Sequence, residues 1–541
     1  MERGPGPKPP APENRMAWFS PGQTLLPELI SLNSRWFPDK PAIIVDGRTV
    51  TWSEFGRSVT RVASGLLGTE LAHGDRVVLL MSNSLEMAAA IFGTVSAGLT
   101  VVPLNLSITD EAVLKMIVDS GARAVIASDE HVPRIENLRT RLPQPMAEDI
   151  ARRLFAVDFP DAGNGAWQRF SDFGDGATAE ALRVLIRGGD SCNIIYSSGT
   201  TGLPKGIVHS HACRMAWAAD MAIALRYHSG ARTLVTLGMY SNITWVSMLS
   251  TILAGGTLVI RSRFELEDCL QVIDRERVTH FAMVPVQYQR LLEYERFEEY
   301  DLSSLVAYMC CGSPLSVPMK KAIRERIPGD LIELYGLTEG LVTILPPEDM
   351  PDKIASVGRP CPGQDIRIID DQGNELAAGQ AGEIVGFSRL MMSGYHNNQQ
   401  ETAAATWEDN AGRRWLRTGD IGRLDREGFL YLVDRKKDMI ISGGQNVYPA
   451  DIEAVLLRHE AVNETAVIGV ASRKWGETPV AIVVPRRGTK FDSDEFTTWA
   501  NSRLGKQQRL AATIVVEALP RNPNGKVLKR ELRSRYESLK F

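Results

Sequence analysis

The stretch YSSGTTGLPKG, residues 196–206, follows the apolar run CNII and carries three glycines, four serine and threonine hydroxyls and one lysine. Glycine reaches backbone angles closed to other residues, and hydroxyls, amides and an ammonium group all donate hydrogen bonds, so the segment reads as a strand end opening into an anion-holding loop. Phosphate is the expected guest. The spacing is not that of a P-loop, which needs a glycine, four residues, then Gly-Lys-Ser/Thr. Here Gly199 is followed by Thr-Thr-Gly-Leu-Pro, and Lys205 by Gly206. A flexible linker is the alternative for a Gly/Ser run, against which stand the two threonines, the proline and the lysine.

Outward from this loop, β-branched runs alternate with segments of helical period. RVVLL (76–80), TVVPL (100–104), RAVIA (123–127), NIIYS (193–197) and TLVI (257–260) are the strands; SLEMAAAIFGTVSAG (84–98) and ELEDCLQVIDRERV (265–278) are helices between them. This alternation predicts a parallel α/β architecture. From about Pro346, Gly/Pro-rich pieces separate the short strands DIRIID (365–370) and EIVGFS (383–388), which predicts a β-barrel-like subdomain. After residues 433–449, VDRKKDMIISGGQNVYP, comes a compact unit: helix DIEAVLLRHE (451–460), strand VAIVV (480–484), helix DEFTTWANSRL (494–504), strand TIVVE (513–517) and a last basic helix. The expected organisation is a disordered Pro-rich tail over 1–16, a large N-terminal domain over 17–433, a charged hinge at 434–438 and a small α+β domain over 439–541.

Composition narrows the function. The chain has 541 residues, 44% of them hydrophobic, which suffices for more than one domain and a large pocket. A net charge of -4 with balanced acids and bases gives no nucleic-acid footprint. Six cysteines, at 192, 213, 269, 310, 311 and 361, show neither CxxC nor Cys/His ligand spacing, as expected of buried thiols in a reducing compartment. The tail lacks an apolar signal core, so a cytoplasmic protein is expected. The uncharged stretches 87–109 and 233–260 are interrupted by glycines, a proline or an asparagine, and read as helix, turn and strand rather than transmembrane spans.

Further islands follow: glycine beside charge or hydroxyl in YGLTE (335–339), RTGD (417–420), SGGQN (442–446) and NPNGK (522–526), and the charged run DRKKD (434–438). Singly, each is also a plain turn or helix cap. In this order and spacing the islands resemble the adenylate-forming superfamily of acyl-CoA synthetases, peptide-synthetase adenylation domains and beetle luciferases, from TWSEF at Thr51 to the end of the chain. The resemblance implies a large N-terminal domain and a small mobile C-terminal one with the active site between them, ATP with Mg²⁺, and CoA as acceptor.

The chemistry explains the residue types. A carboxylate attacks the α-phosphate of ATP, so two anions meet, and catalysis calls for positive charge and oriented donors. By the resemblance, the loop of Ser197, Ser198, Gly199, Thr200, Thr201, Gly202 and Lys205 holds the β- and γ-phosphates. Thr338 contacts the α-phosphate, and Glu339 binds Mg²⁺. Tyr335 stacks on adenine beside Gly336, with the backbone of Gly312, Ser313 and Pro314 along its edge. Asp420 accepts the ribose hydroxyls with support from Arg435. Lys526 bridges the reacting carboxylate and the α-phosphate. Rotation about Lys437 then exchanges Lys526 for the Ser442–Gln445 loop, whose Gly443 and Gly444 let a pantetheine arm pass; a tight turn between strand and helix is the other reading of this diglycine.

The acyl pocket, on the same resemblance, involves residues 239–249, 284–286 and 309–312 and those leading into YGLTE, among them Tyr240, Ile243, Val286, Cys311 and Leu334. Tyr240 stands where amino-acid-adenylating relatives have an amine-binding aspartate. These segments hold no lysine or arginine, so an uncharged acyl or aryl group is expected. Ile243, Cys311 and Leu334 add bulk where glycine is frequent, favouring an aromatic or short-to-medium chain monocarboxylic acid over a long fatty acid, or else merely filling the domain. One departure is QQRL (507–510) where many relatives have Tyr-Lys-x-Pro; Lys506 and Arg509 are the candidate replacements for contacts to the CoA phosphates. The alternatives are an enzyme that loads a carrier protein, a long-chain fatty acyl-CoA synthetase, a luciferase-like monooxygenase and a catalytically dead binding protein. The last is opposed by the intact Lys526, Glu339 and Asp420. A homodimer and a protein acetyltransferase acting on Lys526 complete the expected partners.

Overall fold

The computed structural model describes residues 23–157, 167–173, 184–197, 204–443, 445–521 and 525–541. The Pro-rich tail, the centre of the phosphate-loop motif (Ser198, Gly199, Thr200, Thr201, Gly202), Gly444 and residues 522–524 lie outside them. The chain divides into two compact units. One runs to Ser197 and adds Gly206–His280 and Met392–Asn397; the other comprises Ser198–Lys205, Phe281–Met391 and Asn398–Phe541.

The first unit is built on an eight-stranded sheet. Its order is Gly394–Tyr395, Lys205–Ser210, Ser191–Ser197, Thr100–Pro103, Arg76–Leu80, Ala124–Ala127, Leu154–Ala156, Trp167–Arg169. The run from Ser191–Ser197 to Trp167–Arg169 is parallel throughout, as alternating strands and helices require. Its strands are buried on both faces and read as unbroken apolar runs. A further group places Arg232–Val235, Thr257–Ile260 and Pro41–Val45 in parallel, with Arg48–Thr51 antiparallel at its edge.

Local chemistry fixes the helices around these strands. Thr51 and Glu54 cap helix Trp52–Leu67 reciprocally, the T-x-x-E spacing of a capping box, and Trp52, Phe55, Val59, Val62 and Leu66 then line its buried face. Gly93 of helix Leu85–Ser96 meets that face: a Cβ there would come within 2.5 Å of Val62. The two uncharged stretches break as expected, each into a 12-residue helix and a short strand. Among the described residues no helix is long and apolar enough to cross a membrane.

The second unit holds three β layers in sequence. Ala307–Cys310 and Asp330–Gly336 are parallel, and Val342–Leu345 returns antiparallel to the latter. Beneath them Lys320 and Glu333 form a buried ion pair, the lysine also donating to the Ile354 and Ser356 carbonyls at 2.7 and 3.0 Å. The Gly/Pro-punctuated stretch forms five antiparallel strands: Asp365–Ile369, Gly382–Phe387, Arg414–Leu424, Thr406–Glu408 and Leu430–Arg435, the longest pairing with three of the others.

The last layer is a five-stranded sheet covered by helices Pro449–Leu456, Ser493–Asn501 and Lys529–Arg535. Its central pair is Gly476–Pro485 against Val462–Ser472, the latter a strand not among those expected from sequence. VNETAVIGVAS alternates imperfectly, and the buried Ala466, Val467 and Ile468 in a row hide the period of two. Ile440, Val447, Ile452, Val467, Ala481 and Phe496 form the core of this layer.

Candidate active site

Of the residues assigned to the nucleotide, Tyr335, Asp420 and Arg435 meet in the second unit. Tyr335 ends strand Asp330–Gly336, and its hydroxyl donates to Asp420 Oδ2 at 2.8 Å. Asp420 lies opposite Arg435 in an antiparallel pair, and its Oδ1 stands 3.3 Å from Arg435 Nε. Thr418 Oγ1 accepts from the Asp420 amide at 3.0 Å and donates to the Ile384 carbonyl at 2.8 Å, which anchors the turn. Asp420 is therefore a buried carboxylate fixed by two partners, and an ionised carboxylate has about four acceptor positions. Burial, then Asp420, holds the Tyr335 phenol well above its ordinary range, so it remains a donor.

Beyond Tyr335 the chain reverses through residues 337–340. Gly340 has φ +117°, and a Cβ there would lie 2.2 Å from the Leu390 carbonyl oxygen, so only glycine closes the hairpin that carries the half-buried Thr338 and Glu339 at its tip. Gly312, Ser313 and Pro314 follow strand Ala307–Cys310, the parallel neighbour of the Tyr335 strand, so both segments leave the sheet at its carboxyl edge. Glu339 is a single carboxylate, and among the described residues no group of three or more His, Cys, Asp or Glu is arranged to hold a metal ion. That donor set suits Mg²⁺ arriving on ATP, an ion that takes one or two carboxylates and leaves the rest of its shell to phosphate and water.

Lys526 joins this cluster. Burial foremost, then the neighbouring Arg435 and Lys437, push its amine down to about 7, while Asp420 and Asp438 pull the other way. Lys437 is shifted by burial and Arg435 to about 8. Gly525, at φ +77°, brings the backbone so close that an added Cβ would lie 3.3 Å from Val286. Asp420, Arg435, Lys437 and Lys526, spread over 107 positions of sequence, thus share one electrostatic environment.

Of the phosphate-loop motif, Ser197 ends one strand and Lys205 begins the next. Lys205 is ion-paired with Glu401, which sequence reading missed. Glu401 sits in the first turn of helix Gln399–Ala404, its amide capped by Asn398 Oδ1 at 3.0 Å. The N-Q-Q-E spacing signalled the cap but nothing of the pairing.

Near the diglycine, strands Ile440–Ser442 and Gln445–Val447 pair with Ser442 opposite Gln445. The turn is thus a hairpin between strands, not one between strand and helix. Gly443 has φ +59°, its amide donates to the Trp475 carbonyl at 2.8 Å, and a Cβ would press within 2.8 Å of the Trp475 ring. Trp475 in turn borders a cavity of about 390 Å³ lined also by Ser442, Lys474, Lys506, Gln507 and Arg509. The Lys474 and Lys506 ammonium groups lie 5.1 and 5.8 Å from its ring centre. Lys506 and Arg509, the candidates for phosphate contacts, therefore share one basic cavity with two residues that sequence did not single out.

The acyl-pocket candidates are placed in each unit separately. In the first, Tyr240 folds over Gly238, where a Cβ would lie 2.1 Å from its ring, and Ile243 is half-buried in helix Asn242–Leu253. In the second, Val286 is 37% exposed on helix Pro285–Leu292, Cys311 is buried with its thiol pushed up to about 12, and Leu334 is half-buried beside Tyr335.

Comparison with known proteins shows the family. The AMP-binding enzyme family matches residues 32–396, and the AMP-binding enzyme C-terminal domain matches residues 451–526. The chain is 31% identical over 507 residues to a feruloyl-CoA synthase of Amycolatopsis sp, covering 93% of this chain and 97% of that one. It is 33% identical over 498 residues to a long-chain-fatty-acid–CoA ligase of Mycobacterium tuberculosis, covering 90% and 93%. Among solved structures, o-succinylbenzoate CoA synthetase of Bacillus subtilis in complex with its acyl-adenylate intermediate superposes with a TM-score of 0.79 at 28% identity, covering 94% and 99%. The chain belongs to the adenylate-forming superfamily of AMP-binding enzymes, in the acyl-CoA synthetase branch.

Proposed function

We propose that the protein is an AMP-forming acid–CoA ligase that converts a carboxylic acid and ATP to acyl-AMP and pyrophosphate, then passes the acyl group to CoA. The observation that carries this is the convergence of Tyr335, Asp420, Arg435 and Lys526. A buried carboxylate pinned by a phenol and a guanidinium offers its remaining lone pairs to ribose hydroxyls. A lysine in the same environment supplies the charge that two approaching anions need. Their arrival raises its proton affinity, so the ammonium form is drawn in with the substrates.

In this reading Lys205 exchanges Glu401 for the β- and γ-phosphates. Thr338 donates to the α-phosphate, and Glu339 takes a position on the Mg²⁺ that enters with ATP. Gly312, Ser313, Pro314 and Gly336 border adenine by backbone. Residues 434–438 act as the hinge, with Lys437 the pivot, between an adenylating domain over 17–433 and a lid over 439–541. Acetylation of Lys526 by a protein acetyltransferase would remove the bridging charge and stop adenylation.

The basic cavity supports CoA as acceptor. Lys474, Lys506 and Arg509 match a polyphosphate and Trp475 a purine, and the cavity adjoins the Ser442 hairpin. The acid is proposed to be aromatic or of short-to-medium chain, since Tyr240, Ile243, Cys311 and Leu334 all add bulk. Relatives named for ferulate and for long-chain fatty acids bracket that choice. All six cysteines are buried thiols outside any disulfide, which suits a cytoplasmic setting.

The test is pyrophosphate release across benzoates, hydroxycinnamates and aliphatic acids of graded length, with and without CoA, followed by mass spectrometry. A CoA thioester of one class is the expected product. Adenylate that accumulates while CoA is ignored would instead point to a carrier-protein acceptor.

A further inference from the structure

Arg214 is fully buried in helix His211–Ala224 of the first unit, and among the described residues it meets no carboxylate. Its polar partners are two asparagines and a histidine. Nε donates to Asn193 Oδ1 at 2.7 Å, NH1 to Asn242 Oδ1 at 2.8 Å and NH2 to His209 Nδ1 at 3.1 Å, and the guanidinium lies 4.8 Å over the Trp245 ring. Burial pushes its pKa down to about 10, which leaves it charged at neutral pH. Burying a cation without a counter-charge is costly, and its field strongly orients the dipoles that solvate it.

Asn242 shows where the field goes. A guanidinium cannot accept a hydrogen bond, so the Asn242 oxygen must face Arg214 and its amide NH₂ must face away. Among the described residues no group accepts from that NH₂; Asn242 is half-buried and the nitrogen is not one of the buried unpaired atoms, so solvent reaches it. The surrounding segment is rigidly tied. Met239 N donates to Asn83 Oδ1 at 2.8 Å, Trp245 Nε1 to the Met239 carbonyl at 2.9 Å, and Thr244 Oγ1 to the Gly238 carbonyl at 2.8 Å. The result is a preorganised, polarised donor at the start of helix Asn242–Leu253.

We propose that Asn242, oriented by Arg214, is the donor that selects an acid carrying a hydrogen-bond-accepting oxygen, such as a methoxy, hydroxyl, keto or carboxylate oxygen, at the end remote from its reacting carboxyl. This rests on the ligase reading above, in which residues 239–249 line the acyl pocket. It also amends the expectation drawn from that segment's lack of lysine and arginine: the cation is present, one residue behind the lining, on the neighbouring helix. Arg214 is a positioning residue and Asn242 the one that touches substrate.

The test compares kcat/KM for two near-isosteric acids on whichever scaffold the pyrophosphate assay selects, one ending in methoxy and the other in ethyl. The wild-type enzyme should prefer the methoxy acid by about tenfold, because the ethyl group leaves the donor unpaired. Asn242→Asp keeps an acceptor for Arg214 but replaces the donor by a second acceptor, so the preference should vanish or invert while the melting temperature holds. Arg214→Met should lose the preference, and Arg214→Lys should restore part of it. A wild-type ratio near one, or an Asn242→Asp enzyme with the preference intact, overturns the assignment while leaving the ligase reading standing. Failure to activate any acid overturns both.

Discussion

Lys526 and Arg214 are both cations withdrawn from water, and burial treats them differently. The lysine amine falls to about 7 and is poised between its two forms, whereas the guanidinium falls only to about 10 and stays charged. Their neighbours match. Lys526 shares its surroundings with Asp420, Asp438, Arg435 and Lys437, a mixed set that incoming anions can rebalance. Among the described residues Arg214 is bonded to two amides and an imidazole and lies over an indole face, with no carboxylate to balance its charge. In the proposed reading, the difference separates a cation that answers the reaction from one that holds a dipole in place.

The largest expected effect is on Lys526. Lys526→Ala should slow pyrophosphate release by about 10² to 10³, by analogy with loss of a preorganised oxyanion donor, while thioester formation from supplied acyl-AMP persists. Undiminished pyrophosphate release would erase the contrast with Arg214.

The pH dependence sharpens the same contrast. Because the folded-state pKa of Lys526 is lowered to about 7, its charge is lost as pH rises through that value in the free enzyme, and kcat/KM for adenylation should fall there. With ATP and acid bound, the raised proton affinity should carry kcat to higher pH, and Lys526→Arg should remove the limb near 7 altogether. Stability moves in the opposite sense. Between about 7 and the ordinary lysine value of 10.5 the unfolded chain binds the extra proton, so this lysine's contribution to stability rises with pH across that window. Lys526→Met should therefore melt above the wild type near pH 6, by a margin that shrinks toward pH 10.

A further step down lies at the basic cavity. Replacing Lys506 and Arg509 together by alanine should raise KM for CoA about tenfold, as expected for lost charge-assisted contacts, without changing pyrophosphate release measured in the absence of CoA. An unchanged KM would leave the cavity beside Trp475 without its proposed ligand.

What was legible in the sequence follows the same division. Lys526, Asp420 and Tyr335 sit beside Gly525, Gly419 and Gly336, whose positive φ or close approach leaves a fixed local spacing, and Arg435 sits in the charged run DRKKD, so short motifs expose them. The alternating strands and helices of the first unit were likewise readable, because parallel strands buried on both faces stay apolar throughout. Arg214 carries no such mark: one arginine in HACRMAWAADMAIA looks like a solvated turn of an amphipathic helix until Asn193, His209 and Asn242 are folded around it. Glu401 and Trp475 escaped for a related reason. Their partners, Lys205 and Gly443, lie 196 and 32 positions away, and no local pattern reports a pairing made only in three dimensions.

The smallest expected effect concerns that first pairing. Lys205 is held by Glu401, whose carboxylate is 41% exposed, so the ion pair is worth little in itself, yet it must open before the lysine can reach a phosphate. Glu401→Gln removes the competing charge and should lower KM for ATP by about threefold, a change on the scale of a partly exposed pair. If KM instead rises, Glu401 is aiming Lys205 at the phosphates rather than restraining it. The lysine of the phosphate loop would then belong with Arg214, as a cation held in position, and not with Lys526, as one that responds to its substrate.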